Sequence, residues 1–213
     1  MVFRSVYTIF AVRMMKKAIL IGILAVLLLP VKAQRVQLQV EGMAPAEMGM
    51  LFLTDLATGA NIDSTLVYEG RFRFNVSTDS LQFYKVGSRD LSFVIISDGT
   101  PISINFNRGI LTGSALNEKL HGYDLRISNL EMNMMLAFIA QNEERLNTLR
   151  ELWRKAMKEA VVENPDNLIP AYYIGELFFY TPREEMLQLL SPDKAYAKHP
   201  LCQQVIEQLN EEP

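Results

Sequence analysis

The sequence predicts an α+β protein in which an antiparallel β-sandwich is followed by a helical region. Residues 34–112 hold short segments in which apolar and polar residues alternate, with turn residues between them. This pattern is typical of half-buried antiparallel strands. Residues 113–213 instead place apolar residues at helical spacing, and no proline occurs between Gly113 and Asn164. Residues 1–33 differ from both parts and form a predicted leader.

The leader has the composition of a secretory signal peptide. Lys16 and Lys17 supply positive charge before an apolar run over residues 18–31. That run is about 14 residues long, whereas a membrane-spanning helix needs about 20. We therefore predict a cleaved signal peptide and a periplasmic location. A retained membrane anchor is the alternative.

The residues around the end of the apolar run predict where the signal peptide is cut. Small or β-branched residues precede the bond between Ala33 and Gln34, so Gln34 is expected to begin the exported protein. Translation is expected to start at Met14 or Met15, because a start at residue 1 gives an unusually long positive region. A lipid anchor is not expected, since it would need a cysteine in place of Gln34.

The charge of the exported chain argues against nucleic acid as a partner. Five of the 21 basic residues precede Gln34 and all 24 acidic residues follow it, so the remaining chain has a net charge of −8. Such a chain has little attraction for the phosphates of nucleic acids or of anionic lipids. No basic cluster in the sequence overrides this balance.

The strands of the predicted sandwich follow one another at short intervals. They are expected at residues 35–40, 48–53, 64–68, 71–76, 81–86, 91–96 and 102–106. Gly42 is expected to end the first strand. Phe72 and Phe74 are expected to face the core, because they alternate with arginines. Glu69-Gly70 is expected to join its two neighbouring strands as a hairpin.

The helical region is predicted to begin with two helices in a hairpin. The polar residues 141–145 are the expected break, and one long helix is the alternative. Pro165 ends this part because proline cannot continue a helix. A further helix is expected from about 168 to 180, with Pro170 tolerated in its first turn. Thr181-Pro-Arg-Glu184 matches a capping box and predicts the start of the next helix. Six apolar residues of the first helix recur at roughly helical spacing: Leu116, Leu120, Ile127, Leu130, Met134 and Phe138.

Cys202 is the one cysteine of the chain. A single cysteine excludes an internal disulfide and a C-x-x-C redox pair. Cys202 flanks the helical stripe of Leu201, Val205 and Leu209, which favours a buried or half-buried thiol. An intermolecular disulfide through Cys202 is the alternative in an oxidising compartment.

No motif of the sequence predicts a catalytic, cofactor-binding or metal-binding residue. Phosphate-binding glycine loops, nucleophile elbows and zinc-protease motifs are absent from it. His121 and His199 lie far apart and lack partners at ligand spacing.

Two groups of side chains leave a choice between core packing and binding. Methionine thioethers bind Cu(I), but methionine more often fills irregular cores, which is the favoured interpretation here. The methionines concerned are Met43, Met48, Met50, Met132, Met134 and Met135. The aromatic residues between 172 and 180 predict a buried central helix, and a surface that faces a partner or ligand is the alternative.

Four segments resemble, in the same order, the N-terminal region of exported thioredoxin-like proteins of the alkyl-hydroperoxide-reductase type. They are residues 63–74 with the sequence EGRFRF, 93–104 with the Asp98-Gly99 turn, 111–117 with LTGSALN, and 163–172 with ENPDNLIPAY. In that family a β-rich domain of unknown function and a helical linker precede a thioredoxin domain with a C-x-x-C site. The resemblance therefore implies the β-rich domain and the linker.

The resemblance supplies no catalytic residue. The family's thioredoxin domain would begin just beyond residue 210, and the sequence ends at Pro213. We expect either a stand-alone relative of the accessory region or a truncated gene.

Together these observations predict an exported, non-catalytic binding or interaction module without a cofactor. Its expected partner is a protein of the cell envelope, in particular a thioredoxin-like oxidoreductase. No nucleic acid is expected as a partner, and no integral membrane segment after signal cleavage. The alternatives are a redox role through a mixed disulfide at Cys202 and a cryptic hydrolase.

Overall fold

The structure is a computed structural model that describes residues 35–79 and 81–211. The predicted signal peptide, with its cleavage site at Ala33 and Gln34, lies outside these residues. The described ranges contain eight strands before the first α-helix, with a 3-10 turn at Ala46–Met48 between the first two. The strands are β1 (Arg35–Met43), β2 (Met50–Asp55), β3 (Asn61–Leu66), β4 (Arg71–Asp79), β5 (Phe83–Gly87), β6 (Ser92–Ile96), β7 (Ile102–Asn105) and β8 (Ile110–Thr112).

The strands form two four-stranded sheets whose inner faces pack on each other. The first sheet has the order β4-β1-β7-β8, and the second has the order β3-β2-β5-β6. Neighbouring strands are antiparallel except β1 and β7, which are parallel. The predicted α+β fold with an N-terminal sandwich is therefore confirmed. Strand β8 has three residues and was not predicted.

The alternation in β4 follows the prediction. Phe72 and Phe74 are buried in the sandwich core, whereas Arg71 and Arg73 are exposed. Phe72 also packs edge-to-face on Phe106, with ring centroids 5.6 Å apart. The period-two pattern thus predicted which face of this strand the core covers.

The predicted reversal at Glu69-Gly70 is present, but the strands that it joins belong to opposite sheets and do not pair beyond Tyr68 and Arg71. Strand β3 pairs with β2 in the second sheet, and β4 pairs with β1 in the first. A single bridge between Tyr68 and Arg71 closes the turn. Both turn residues have positive φ, 50° for Glu69 and 72° for Gly70, as a tight reversal requires.

Gly42 lies inside β1 and does not end it. It faces Ile104 across the parallel pair, and a Cβ at Gly42 would lie 1.8 Å from the carbonyl oxygen of Ile104. Only glycine leaves room for this approach. Gly42 was expected to end β1, and its lack of a side chain is instead what allows β7 to pair with β1.

Five α-helices follow the sandwich in the described chain. They are α1 (Ala115–Ile139), α2 (Glu143–Val162), α3 (Ile169–Phe178), α4 (Arg183–Leu189) and α5 (Pro200–Glu211), with a 3-10 turn at Ala195–Lys198 before the last. The break between α1 and α2 falls at residues 140–142, so the hairpin interpretation is confirmed. The predicted cap at Thr181 is wrong, because α4 begins after Pro182 and has no side-chain cap.

The helices form a third layer on the outer face of the second sheet. On β5 and β6, Tyr84 and Ile95 point into the sandwich core, whereas Phe83 and Ile96 join the core of the helical layer. Both faces of these strands are therefore covered. Because both of its faces are covered, the sequence of β6 is a nearly continuous apolar run.

Buried polar contacts join α1 to the edge of the second sheet. The side chain of Asn117, which is fully buried, accepts a hydrogen bond from the Ile96 N–H and donates one to the Ile96 carbonyl. Ser114 caps α1 by accepting from the Asn117 N–H at 3.2 Å. The Ser114 hydroxyl also hydrogen-bonds the Asp98 carboxylate. These contacts fix where the helical layer starts on the sandwich.

Candidate protein-docking surface

The free end of the α1–α2 hairpin carries the largest group of exposed apolar side chains within one segment of the described chain. Five large apolar residues over eight positions of α1 are each more than half exposed. They are Met132 (61%), Met135 (57%), Leu136 (53%), Phe138 (69%) and Ile139 (68%). We call this group the tip surface.

Helical geometry places the tip surface on the side of α1 that α2 leaves open. Met132, Met135, Leu136 and Ile139 are spaced i, i+3, i+4 and i+7, which puts them on one helical face. Between them, Ala137 is buried, and Met134 packs against the helical core. The last ten residues of α1 are apolar nearly all round, so one face remains uncovered after the other packs on α2.

Backbone and side-chain hydrogen bonds hold the turn of the hairpin. Gln141 adopts a left-handed conformation with φ of 54°. The Asn142 N–H donates to the Ala137 carbonyl at 2.9 Å, and the Asn142 side chain caps α2 by accepting from the Arg145 N–H at 3.0 Å. The exposed side chains are therefore presented on a fixed turn.

Contacts along the hairpin hold its two helices together. Arg126 and Glu159 form an ion pair at 2.6 Å. The Tyr123 hydroxyl donates to the Glu163 carboxylate at 2.6 Å, and the indole N–H of Trp153 donates to Glu131 at 3.1 Å. These pairs link α1 and α2 along most of their length, up to the segment that carries the tip surface.

A groove lies between the end of α1 and the start of α2. Its volume is about 620 Å³. Ala137, Phe138 and Leu146 supply apolar walls, whereas Asn142 and Arg150 are polar residues of its lining. Five of the eight residues that line the groove are polar or charged, so its apolar side chains form one part of a mainly polar groove.

The tip surface has the area of the largest apolar patch on a typical monomeric protein. Large apolar side chains expose on the order of 150–200 Å² each when free, so the five exposed fractions correspond to about 500 Å². Apolar patches on monomers seldom exceed about 300–600 Å², and patches of that size are often functional. Other exposed apolar residues, such as Leu66 and Tyr68 at the sandwich edge, lie among the charged residues Glu69 and Arg71.

The side chains of Cys202 and His199 are buried in the helical layer. Cys202 is fully buried, and burial raises the pKa of its thiol to about 12. His199 is 6% exposed, its Nδ1 accepts from the Leu201 N–H, and burial lowers its pKa. In the folded chain Cys202 therefore presents a protonated thiol away from solvent. The mixed disulfide at Cys202 stays a prediction, and it would require local opening of α5.

The methionines predicted to fill the core are mostly at the surface. Met43 and Met50 are 49% and 44% exposed, and Met132 and Met135 are exposed more strongly still. Met48 and Met134 are partly buried against the cores. Core filling is therefore wrong for four of the six, because turns and the uncovered face of α1 place them at the surface.

The aromatic helix is central, as predicted, but not along its whole length. Tyr173 and Leu177 of α3 are buried in the helical core, whereas Phe179, just after the helix, is 73% exposed. The Tyr180 ring packs edge-to-face on Trp153 and lies 5.1 Å from the Arg154 guanidinium carbon.

Comparisons of the chain with models of protein families, with curated proteins and with solved structures find no match. None of the described helices combines the length and the apolarity that a membrane crossing requires. The fold and the exposed surfaces of the described residues are therefore the basis for proposing a function.

Proposed function

We propose that the chain is an exported, non-catalytic interaction module that accepts an amphipathic helix of a partner protein at the tip surface. The observation that carries this proposal is the tip surface itself. Five large apolar side chains lie exposed on one fixed helical hairpin. Methionine supports this role, because its flexible thioether side chain adapts to different apolar partners.

The groove beside the tip surface suits a helical segment. An amphipathic helix places its apolar side chains at i, i+3, i+4 and i+7, and such a stripe docks into an apolar groove between two helices. The groove offers Phe138 and Leu146 to such a stripe, and most of its other lining residues, including Glu143 and Arg150, are polar or charged. These charged side chains would meet the polar flanks of a bound helix.

The area of the tip surface favours a partner protein over a second copy of this chain. Two tip surfaces in contact would bury about 1,000 Å² in total, whereas obligate dimers bury about 2,000 Å² or more. A heterologous partner can bury the tip surface and the groove together with its own complementary segment. The predicted leader, which ends at Ala33, supports a partner in the periplasm. The resemblance to the accessory region of thioredoxin-like proteins makes an envelope oxidoreductase the first candidate.

Photo-crosslinking from a single position tests the proposal. Benzoylphenylalanine replaces Phe138 in one variant and Tyr68, an equally exposed aromatic residue of the sandwich, in the control. We expect irradiation in the producing cells to yield one discrete adduct from position 138 that position 68 does not give. The captured protein, once purified, should bind the wild-type chain and bind the Ile139→Asp variant at least 10-fold more weakly.

Three outcomes would overturn the proposal. Identical adducts from positions 138 and 68 would show random encounter. An adduct between two copies of this chain would assign the tip surface to a homodimer. Equal binding of the purified partner to the wild type and to Ile139→Asp would place its docking site elsewhere.

A further inference from the structure

A second cavity lies where the second sheet meets three helices, and the tip surface does not contribute to it. Its volume is about 410 Å³, within the usual range of small-molecule sites. Strand β6 supplies Ser92 and Val94, while α1, α2 and α3 supply the remaining walls. It therefore lies between the sandwich and the helical layer.

The lining of this cavity combines carboxylates with aromatic rings. Asp124 and Glu131 of α1 and Glu176 of α3 are its three acidic residues. Trp153, Tyr172 and Tyr173 supply rings. The described residues that line the cavity include no lysine or arginine. A cavity that offers negative charge together with aromatic faces matches the chemistry of an organic cation.

Tyr173 carries a polar atom without a partner in this environment. The residue is 3% exposed, and its hydroxyl has no hydrogen-bond partner in the structure. A buried hydroxyl without a partner is costly, and most such groups are satisfied by protein or water. Tyr173 lines the cavity, and its hydroxyl is covered in the structure, so a ligand N–H group would supply the missing bond once the ring shifts to uncover it.

Burial and the neighbouring carboxylates disfavour negative charge on the groups that line the cavity. Burial raises the pKa of the Asp124 carboxyl, although His121 lowers it, and the charge of Glu131 raises it further. Burial also raises the pKa of the Tyr172 and Tyr173 phenols, and the negative charge of Asp124 adds to both increases. A cation among these groups would stabilise the ionised carboxyl and hydrogen-bond with the neutral phenols.

The spacing of the carboxylates favours an extended ligand over a metal ion. Asp124 and Glu131 are seven residues apart on α1, which is about 10 Å along the helix axis. In the described chain, no three histidine, cysteine, aspartate or glutamate side chains converge closely enough to hold a metal ion. Glu131 also already accepts the indole N–H of Trp153, which fixes the orientation of its carboxylate.

We propose that this cavity binds a small organic cation with one or two alkylammonium groups. The ammonium groups would contact the carboxylates of Asp124 and Glu176 and donate to the Tyr173 hydroxyl. The alkyl part would lie on the rings of Trp153 and Tyr172. This site is independent of the tip surface, so either proposal can fail without the other.

Titration calorimetry of the purified protein tests the site with defined probes. The probes are 1,4-diaminobutane, 1,6-diaminohexane and tetramethylammonium, with Mg²⁺, Ca²⁺ and a lysine-containing peptide as comparisons. We expect one diamine to bind saturably with one-to-one stoichiometry and a Kd below about 1 mM. Binding should weaken at least 10-fold in Glu176→Gln and at least 3-fold in Tyr173→Phe. Glu184→Gln, which changes an exposed carboxylate outside the cavity, should leave it unchanged.

The Tyr173→Phe variant keeps the test valid if a charge substitution disturbs folding, because it removes only the hydroxyl. Several outcomes would overturn the proposal. One is the absence of saturable binding by any organic cation, and another is equal weakening by Glu184→Gln. Saturable binding of Mg²⁺ or Ca²⁺ alone would identify a metal site instead. Tighter binding of the lysine peptide than of the diamines would assign the cavity to a side chain of a partner protein.

Discussion

Asn117 offers the sharpest test of how the helical layer is attached to the sandwich. Its side-chain amide takes the place of a neighbouring strand at the edge of β6. The amide oxygen accepts the Ile96 N–H at 2.6 Å, and the amide nitrogen donates to the Ile96 carbonyl at 2.9 Å. The amide nitrogen also lies 3.0 Å from the Ser114 hydroxyl. All of these atoms are buried, so water cannot replace the lost bonds.

Replacing Asn117 with alanine leaves two buried backbone groups of Ile96 without partners. Each unsatisfied group costs about 1–3 kcal/mol, so the expected loss is about 2–6 kcal/mol. The better helix propensity of alanine offsets about 0.5 kcal/mol of that loss. The remainder is a large fraction of the roughly 5–15 kcal/mol that stabilises a typical protein. The variant is therefore expected to be folded but markedly less stable.

Urea denaturation followed by circular dichroism measures the effect. The matched control is Asn129→Ala, which makes the same substitution at an exposed position of the same helix. We expect Asn117→Ala to lower the free energy of unfolding by at least about 1.5 kcal/mol, and Asn129→Ala to change it by less than about 0.5 kcal/mol. A loss below about 1 kcal/mol in Asn117→Ala would refute the assigned role of these hydrogen bonds.

Three further predictions concern packing, pH and thiol access. Gly42→Ala should lower the free energy of unfolding in urea by about 3 kcal/mol or more, because its Cβ would meet the Ile104 carbonyl. Gly122→Ala, in open space within α1, should raise it by about 0.5–1 kcal/mol, and equal effects would contradict the packing argument. His199 has a folded-state pKa below its ordinary value, so the unfolded chain takes up its proton first. The free energy of unfolding should therefore fall as the pH drops below about 6.5. Urea titrations of His199→Gln should show a weaker pH dependence, and an unchanged one would assign the loss to other groups. Cys202, buried and with a raised thiol pKa, should react with an aromatic disulfide reagent only after urea unfolds the chain. Rapid reaction of the native chain would show an accessible thiol and support the mixed-disulfide alternative.

Local patterns predicted the layers of this fold but not the pairings between distant strands. The alternation around Phe72 and Phe74 predicted both the strand and its buried face, because apolar and polar residues alternate where one face of a strand is covered by the core. The partner of a strand is set by contacts between residues far apart in sequence. Thus the parallel pairing of β1 with β7, and the transfer of the chain between sheets at Glu69-Gly70, leave no local pattern.

Buried polar residues were also missed, for a related reason. Asn117 and Asn164 are almost fully buried, although asparagine is usually exposed. Asn164 donates to the Ala160 carbonyl at 2.7 Å and holds the end of α2. Asn117 lies in the segment 111–117 and Asn164 in the segment 163–172. Their roles here are to satisfy backbone groups, which a single sequence does not show.

The tip surface could be predicted only in part. Helical spacing placed Phe138 in line with core residues such as Leu120 and Ile127, yet Phe138 is 69% exposed. The end of α1 is apolar on nearly every side, so periodicity cannot select the buried face there. The hairpin turn at residues 140–142 determines on which side of α1 the helix α2 packs, and therefore which apolar residues of α1 are buried.

The affinity of the purified partner for charge-substituted chains tests the central claim most directly. The double variant Met135→Asp/Phe138→Asp places two charges on the tip surface, and Leu66→Asp/Tyr68→Asp places two on exposed apolar residues of the sandwich. Calorimetry should show at least about 100-fold weaker binding for the tip variant, or about 2.8 kcal/mol, and wild-type affinity for the sandwich variant. Equal affinity of the tip variant and the wild type would contradict docking at the hairpin.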